Sequence, residues 1–254
     1  TAPGYVVVGP KKIEDSKNLG RVSLTTILAR SSNVGVTKLA MTLQPDQLWG
    51  TMAQFGLGTL TASGFPGESA GSLIPYNQWR PINQATLAYG YGVSVTPLQL
   101  AQAYAALGSN GERRPISLVA LDTPNEGEHV VSKDTAVAIR RMLEEVVRPG
   151  GTGTKAAVPG YRVAGKTGTA WKFSTGGYSE DEYISIFAGL APASKPQLAT
   201  VVVIDEPRGE LYYGSDVAAP VFADVMSESL RLLAVPPDAL PARDADSIMQ
   251  AMSR

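Results

Sequence analysis

The chain reads as an α+β protein, an antiparallel sheet with helices packed against it. Three observations predict this. Apolar residues recur at helical spacing in several stretches up to Val147. The period then shortens to two, and Tyr161–Trp171, Tyr183–Leu190 and Leu198–Ile204 follow one another as strand candidates across short polar loops. From Val217 to Leu233 the pattern returns to an apolar helix long enough to cover a sheet. Three strands are few for so much helix, so further strands are expected outside this sequence.

Taken in order, Tyr5–Val8 and the polar stretch to Arg21 read as an extended arm or loop. Ser23 is an N-cap for a short helix through Arg30, and Ser31-Ser32-Asn33 interrupts it with residues that favour caps and turns. A second helix runs from Val34 to Leu43, with Val36, Leu39 and Leu43 at core spacing. Asp46–Gly56 is a third helix, Gly64–Glu68 a turn and Gly71–Pro81 a loop. In Tyr89-Gly90-Tyr91-Gly92 two aromatics alternate with two glycines; Tyr91 suits an aromatic groove wall and Tyr89 a core position. Thr96, Pro97 and Gly108 mark the cap, first turn and stop of a helix over Leu98–Leu107. Lys133–Val147 is amphipathic, with Val137, Ile139, Met142, Leu143 and Val146 facing inward and its arginines and glutamates outward. Residues 241–254 read as a mobile tail, with a frayed helix near Ile248–Met252.

Composition narrows the function. The 254 residues are 44% hydrophobic and 18% charged with a net charge of −1, an ordinary globular balance. Nucleic acid is therefore not an expected partner. The longest apolar runs are too short to span a bilayer. Zero cysteines exclude a thiol nucleophile and a thiolate metal site. The single histidine, His129, lies in a polar run and reads as a solvated loop residue, which argues against a Ser-His-Asp triad or a zinc centre. No metal or cofactor is expected.

Chemistry concentrates in two stretches. Val163–Ala170 reads as a strand carrying Lys166, Thr167, Gly168 and Thr169. Alternation sets both threonine hydroxyls on one face, Gly168 leaves bare backbone, and Lys166 adds a cation. Together they suit a peptide ending in a carboxylate and docked as an added strand. A lysine flanking a small-residue core strand is the plainer alternative. Ser31 and Asn33 sit at a helix-to-helix junction, where a hydroxyl and a carboxamide can turn into a cleft; a C-cap followed by an N-cap is the alternative there. Strict alternation leaves one tension, because it puts Lys166 on the face opposite the two threonines.

A Ser-x-Asn junction followed at a distance by Lys-Thr-Gly-Thr resembles two of the three motifs of the penicillin-recognising serine acyltransferases. Ordered longer segments sharpen the likeness: Ser31–Val36, Phe55–Gly58, Gly64–Glu68, Tyr89–Gly92, Val95–Ala101, Phe187–Pro192 and Ala219–Phe222. They resemble the transpeptidase domain of a class B, division-specific penicillin-binding protein, over residues 1 to about 240. The family's first motif, Ser-x-x-Lys, is not present, since no serine here has lysine three positions on. The resemblance thus implies a C-terminal part of that domain, with the nucleophile and two sheet strands upstream, inactive by itself.

In the family, the upstream serine acylates on a peptidoglycan stem pentapeptide or a β-lactam. The resemblance implies that Ser31 relays a proton, Lys166 tunes that hydroxyl, and Asn33 holds a substrate amide. It places the ligand carboxylate on Thr167 and Thr169 and an oxyanion donor on the Thr169 N–H. Tyr91, Tyr183, Tyr212 and Tyr213 would frame the groove. Trp171 stands where relatives usually carry a basic residue, a departure expected to change the drug spectrum. A division glycosyltransferase and other division proteins are the implied partners, and the periplasmic face of the inner membrane is the implied location. A D,D-carboxypeptidase and a β-lactam sensor of the same fold are the alternatives.

Overall fold

A computed structural model describes residues 1–174 and 177–239. The expected N-terminal arm is instead a hairpin, in which β1 (Tyr5–Val8) pairs antiparallel with β2 (Lys11–Glu14). Its Val8 and Ile13 bury against Ala85, Ile82 and Tyr89, a contact invisible to local pattern. Ser23 caps α1 (Leu24–Ala29), accepting from the Thr26 N–H at 3.2 Å. α2 (Asn33–Ala40) starts on Ser32, whose hydroxyl accepts from the Gly35 N–H.

α2 does not bury the expected face. Val34, Gly35, Thr37 and Ala40 are inside, whereas Leu39 and Leu43 are exposed. Close approach of the two helices decides this: a Cβ on Gly35 would stand 2.8 Å from Ile27 Cγ1, so the small-residue face must turn inward.

α3 (Pro45–Gln54) follows the sequence expectation closely. The region read as loop, Gly71–Pro81, contains β3 (Ser72–Leu73) and a 3₁₀ turn at Tyr76–Gln78, and at its end α4 (Pro81–Leu87) begins, a helix the sequence pattern did not indicate. β3 pairs with β4 (Val93–Ser94), and α5 (Pro97–Gly108) begins on the expected Thr96 cap. β5 (Glu112–Arg113) pairs with β6 (Glu128–His129), which leaves His129 exposed.

α6 (Lys133–Val147) has the expected bounds, but two of its charged residues are inside. Arg140 is buried and donates to the carbonyls of Leu107 and Gly108 at 2.8 and 3.1 Å, capping the end of α5. Glu144 is buried too, and takes a two-pronged hydrogen bond from Arg162 with both contacts at 2.8 Å. A helical wheel sees polarity; it cannot see a cation waiting on another element.

The sheet is a meander in the order β7 (Ala164–Ser174), β8 (Gly177–Ala191), β9 (Leu198–Asp205), all antiparallel. α7 (Gly214–Leu232) covers one face, where Phe187 meets Phe222 at 4.6 Å between ring centres among Ala218, Ala219, Met226 and Leu230. On the other face Ala164 and Leu190 pack with Leu143, Ile139 and Tyr104 of α6 and α5. Helix, sheet, helices: the layers are those the hydrophobic periods require. The expected tail helix near Ile248–Met252 lies outside the described residues.

Candidate active site

Where the end of α1, the start of α2 and the open edge of β7 meet, a cleft of about 570 Å³ is lined by Ser31, Asn33, Lys166, Thr167, Gly168 and Thr169, with Tyr91 and Tyr213 at its sides. Tyr183 and Tyr212 are not among its lining residues. They stand behind Tyr213 as a stack: the Tyr183 and Tyr212 rings are 4.0 Å apart, Tyr212 and Tyr213 are 4.4 Å apart, and the last two share a 3.1 Å hydroxyl contact. That contact, with desolvation, pushes the Tyr212 phenol up to about 12. Ser185 donates to the Tyr212 carbonyl and pins the stack to β8.

Ser31 occupies a left-handed conformation, φ +53°, uncommon for a residue with a side chain. The turn survives because both sides of it are tied. Arg30 donates to the Gly150 carbonyl at 2.6 Å, and Asp15 accepts from the Ser32 hydroxyl at 2.5 Å and the Val34 N–H at 3.0 Å. The two alternatives at this junction are therefore both realised, by different residues. Ser32 is the buried cap, and Ser31, turned by its φ, is exposed to the cleft.

Across the cleft, Lys166 Nζ donates to Ser31 Oγ at 2.8 Å, to the Thr167 carbonyl at 3.0 Å and to Thr167 Oγ1 at 3.4 Å. This resolves the alternation problem. The lysine leaves the sheet on the face opposite the threonines, and its long stem brings the ammonium round the open edge. All three acceptors are neutral, so burial without a compensating anion lowers its pKa from 10.5 to about 8. Among the described residues, no carboxylate lines this cleft beside the lysine.

Gly168 lines the cleft between the two threonines, and the strand register assigns the outward-facing groups. Trp171 N–H points away from β8, to the Tyr91 hydroxyl at 3.2 Å. By alternation, the N–H and C=O of Thr167 and Thr169 also face the open edge, while Gly168 pairs with Ile186. Thr167 and Thr169 thus offer the pairing groups. The glycine that packing requires is Gly214 at the start of α7, where a Cβ would overlap the Gly168 and Ile186 carbonyls. The same close approach lets Gly214 N–H donate to Thr169 Oγ1 at 2.9 Å.

Thr152 has no counterpart in the sequence-based site. Its hydroxyl is 3.0 Å from Thr167 Oγ1, and its N–H donates to the Ala29 carbonyl at 3.1 Å, so it ties the last turn of α1 to β7 and lines the cleft. Only a glycine-rich helix exit, Gly150-Gly151-Thr152-Gly153, hints at a special backbone there. Trp171 packs beside the site, its ring 6.3 Å from that of Tyr91. Among the described residues no cluster of His, Cys, Asp or Glu is suited to a metal ion.

The penicillin binding protein transpeptidase domain family matches residues 2–227. The chain is 44% identical over 238 residues to the peptidoglycan D,D-transpeptidase FtsI of Escherichia coli (strain K12), covering 94% of this chain and 40% of that protein. It is 41% identical to the protein of the same name from Buchnera aphidicola subsp. Schizaphis graminum, covering 90% of this chain and 40% of the relative. Among solved structures, the apo transpeptidase domain of Burkholderia pseudomallei penicillin-binding protein 3 superposes with a TM-score of 0.88 at 42% identity, over 94% of this chain and 72% of that one. The chain thus spans about 40% of the length of these curated relatives. With the match covering most of its residues, the chain belongs to the penicillin-binding protein transpeptidase domain family.

Proposed function

We propose that this chain supplies the substrate-binding wall and proton relay of a peptidoglycan D,D-transpeptidase, acylated in turn by β-lactams. The observation that carries this reading is the 2.8 Å contact between Ser31 Oγ and Lys166 Nζ across a cleft that also holds Asn33, Thr167 and Thr169. No serine in the sequence has lysine three positions on, so the nucleophile is assigned to polypeptide outside these 254 residues, and residues 1–240 to one part of the domain.

In that reaction a serine oxygen attacks the penultimate D-alanine carbonyl of a stem pentapeptide. The C–N bond to the terminal D-alanine breaks, and its amine leaves with a proton passed through Ser31. The amine of a second stem then attacks the ester, the C–O bond breaks, and the serine recovers its proton. Asn33 holds the donor's amide, and the hydroxyls of Thr167 and Thr169 receive its carboxylate beside the Lys166 cation. The outward N–H of Thr169 acts as an oxyanion donor, worth roughly 3 kcal/mol. Division-site synthesis at the periplasmic face of the inner membrane, with a glycosyltransferase and other division proteins as partners, is the setting this reading implies.

The test is to trap the complete protein with a fluorescent penicillin and map the adduct. The label is expected on a serine outside this sequence, with slower labelling in Ser31→Ala. An adduct on Ser31, or no adduct at all, would defeat the assignment.

A further inference from the structure

The open edge of β7 is not open along its whole length. Outward-facing groups recur every second residue, at Thr167, Thr169 and Trp171. The Thr167 carbonyl already accepts from Lys166, and both threonines line the cleft. At Trp171 the next outward N–H is taken by the Tyr91 hydroxyl, which comes from the turn after α4 and not from the sheet. The phenol oxygen stands where the carbonyl of an added strand would stand. Beyond it the Tyr91 ring meets Trp171 at 6.3 Å and Tyr178 at 5.0 Å, and Tyr178 meets Phe173 at 5.3 Å. Trp171, Phe173 and Tyr178 are all exposed.

We infer that Tyr91 terminates the pairing edge at Thr169, so that a bound peptide is read by its backbone over the stretch next to its carboxylate and by aromatic rings beyond it. Tyr91 is then a specificity residue: it sets the length of donor that the strand can read. Each residue advances a strand by about 3.4 Å, so the blocked N–H lies about 7 Å, two residues, past Thr169. Donor residues that far from the carboxylate end meet ring faces, which favours an apolar stem there over a backbone held in register. This inference rests on the proposed D,D-transpeptidase reading for the nature of the peptide, but the Tyr91–Trp171 bond can be tested without it.

The experiment uses two variants of the complete protein: Tyr91→Ala, which clears both the acceptor and the ring from the place an added carbonyl would take, for the donor assay, and Tyr91→Phe, which removes the acceptor alone, for amide exchange. Two N-acetylated donors ending in D-alanyl-D-alanine are compared, one of them two residues longer. Exposing the Trp171 N–H should raise the long-to-short ratio of kcat/KM about five-fold, the size of one net hydrogen bond. Amide exchange at Trp171 should be faster in Tyr91→Phe than in the unaltered protein. An unchanged or lower ratio overturns the inference while leaving the reaction in place. Failure of the unaltered protein to use either donor counts against the reaction itself. In that case equal exchange at Trp171 in both proteins still overturns the inference.

Discussion

Lys166 offers the sharpest test, because one property of its site makes opposite predictions for stability and activity. Lowering its pKa from 10.5 to about 8 corresponds to roughly 3 kcal/mol of destabilised charge. The residue is only partly buried, and allowing for solvent at the cleft mouth leaves about 2 kcal/mol. The folded protein binds the proton less tightly than the unfolded chain, so stability rises with pH between about 8 and 10.5 and the full penalty is present at pH 7. Lys166→Met should therefore raise the melting midpoint at pH 7 by roughly 4–8 °C. That gain should vanish above pH 10.5. Acylation should move the other way. A ligand carboxylate entering the slot needs the charged form, so acylation of the unaltered protein by a penicillin should fall as pH climbs through 8. In Lys166→Met it should be about a hundred-fold slower at pH 7, the rate equivalent of roughly 3 kcal/mol. Differential scanning calorimetry and stopped-flow acylation of the complete protein, from pH 6 to 10.5, measure both. A variant that melts lower than its parent at pH 7, or a parent profile flat across pH 8, would refute the reasoning.

Three further outcomes follow from the packing. Thr152→Val removes the hydroxyl 3.0 Å from Thr167 Oγ1 and should weaken binding of carboxylate-bearing β-lactams about five-fold, with Thr152→Ser restoring it; progress curves that separate binding from acylation read the effect. Gly214→Ala would press a methyl into the Gly168 and Ile186 carbonyls, costing about 1–3 kcal/mol in urea unfolding and slowing acylation by displacing Thr169's partner. Arg162→Ala leaves the buried Glu144 carboxylate without its two-pronged donor and should cost about 3 kcal/mol, seen as a lower urea midpoint. Glu144→Gln, which removes the charge and keeps an acceptor, should cost less.

Much of the scaffold was legible because it depends on residues near one another in the chain. Thr96-Pro97 and Gly108 bounded α5, Ser23 capped α1, and the switch from helical to strand period located the three-stranded meander. The reading failed where a partner comes from far away. Arg140 and Glu144 look solvated on a wheel, yet one caps α5 and the other meets Arg162. The N-terminal stretch looks like an arm, yet it forms a hairpin because α4 covers its apolar side.

The same division runs through the site. Sequence alone determined which residue types are present: the serine and asparagine at a helix junction, the lysine and threonines on a strand, and the missing Ser-x-x-Lys. Tertiary structure alone decided their geometry. Whether Lys166 could reach Ser31 depended on the left-handed turn at residue 31 and on β7 presenting its unpaired edge there. Thr152 entered the cleft, Tyr183 and Tyr212 fell behind Tyr213, and Tyr91 closed the strand edge for the same reason. Spacing along a chain sets which way a side chain leaves its own element; what it then meets is set by how the elements pack.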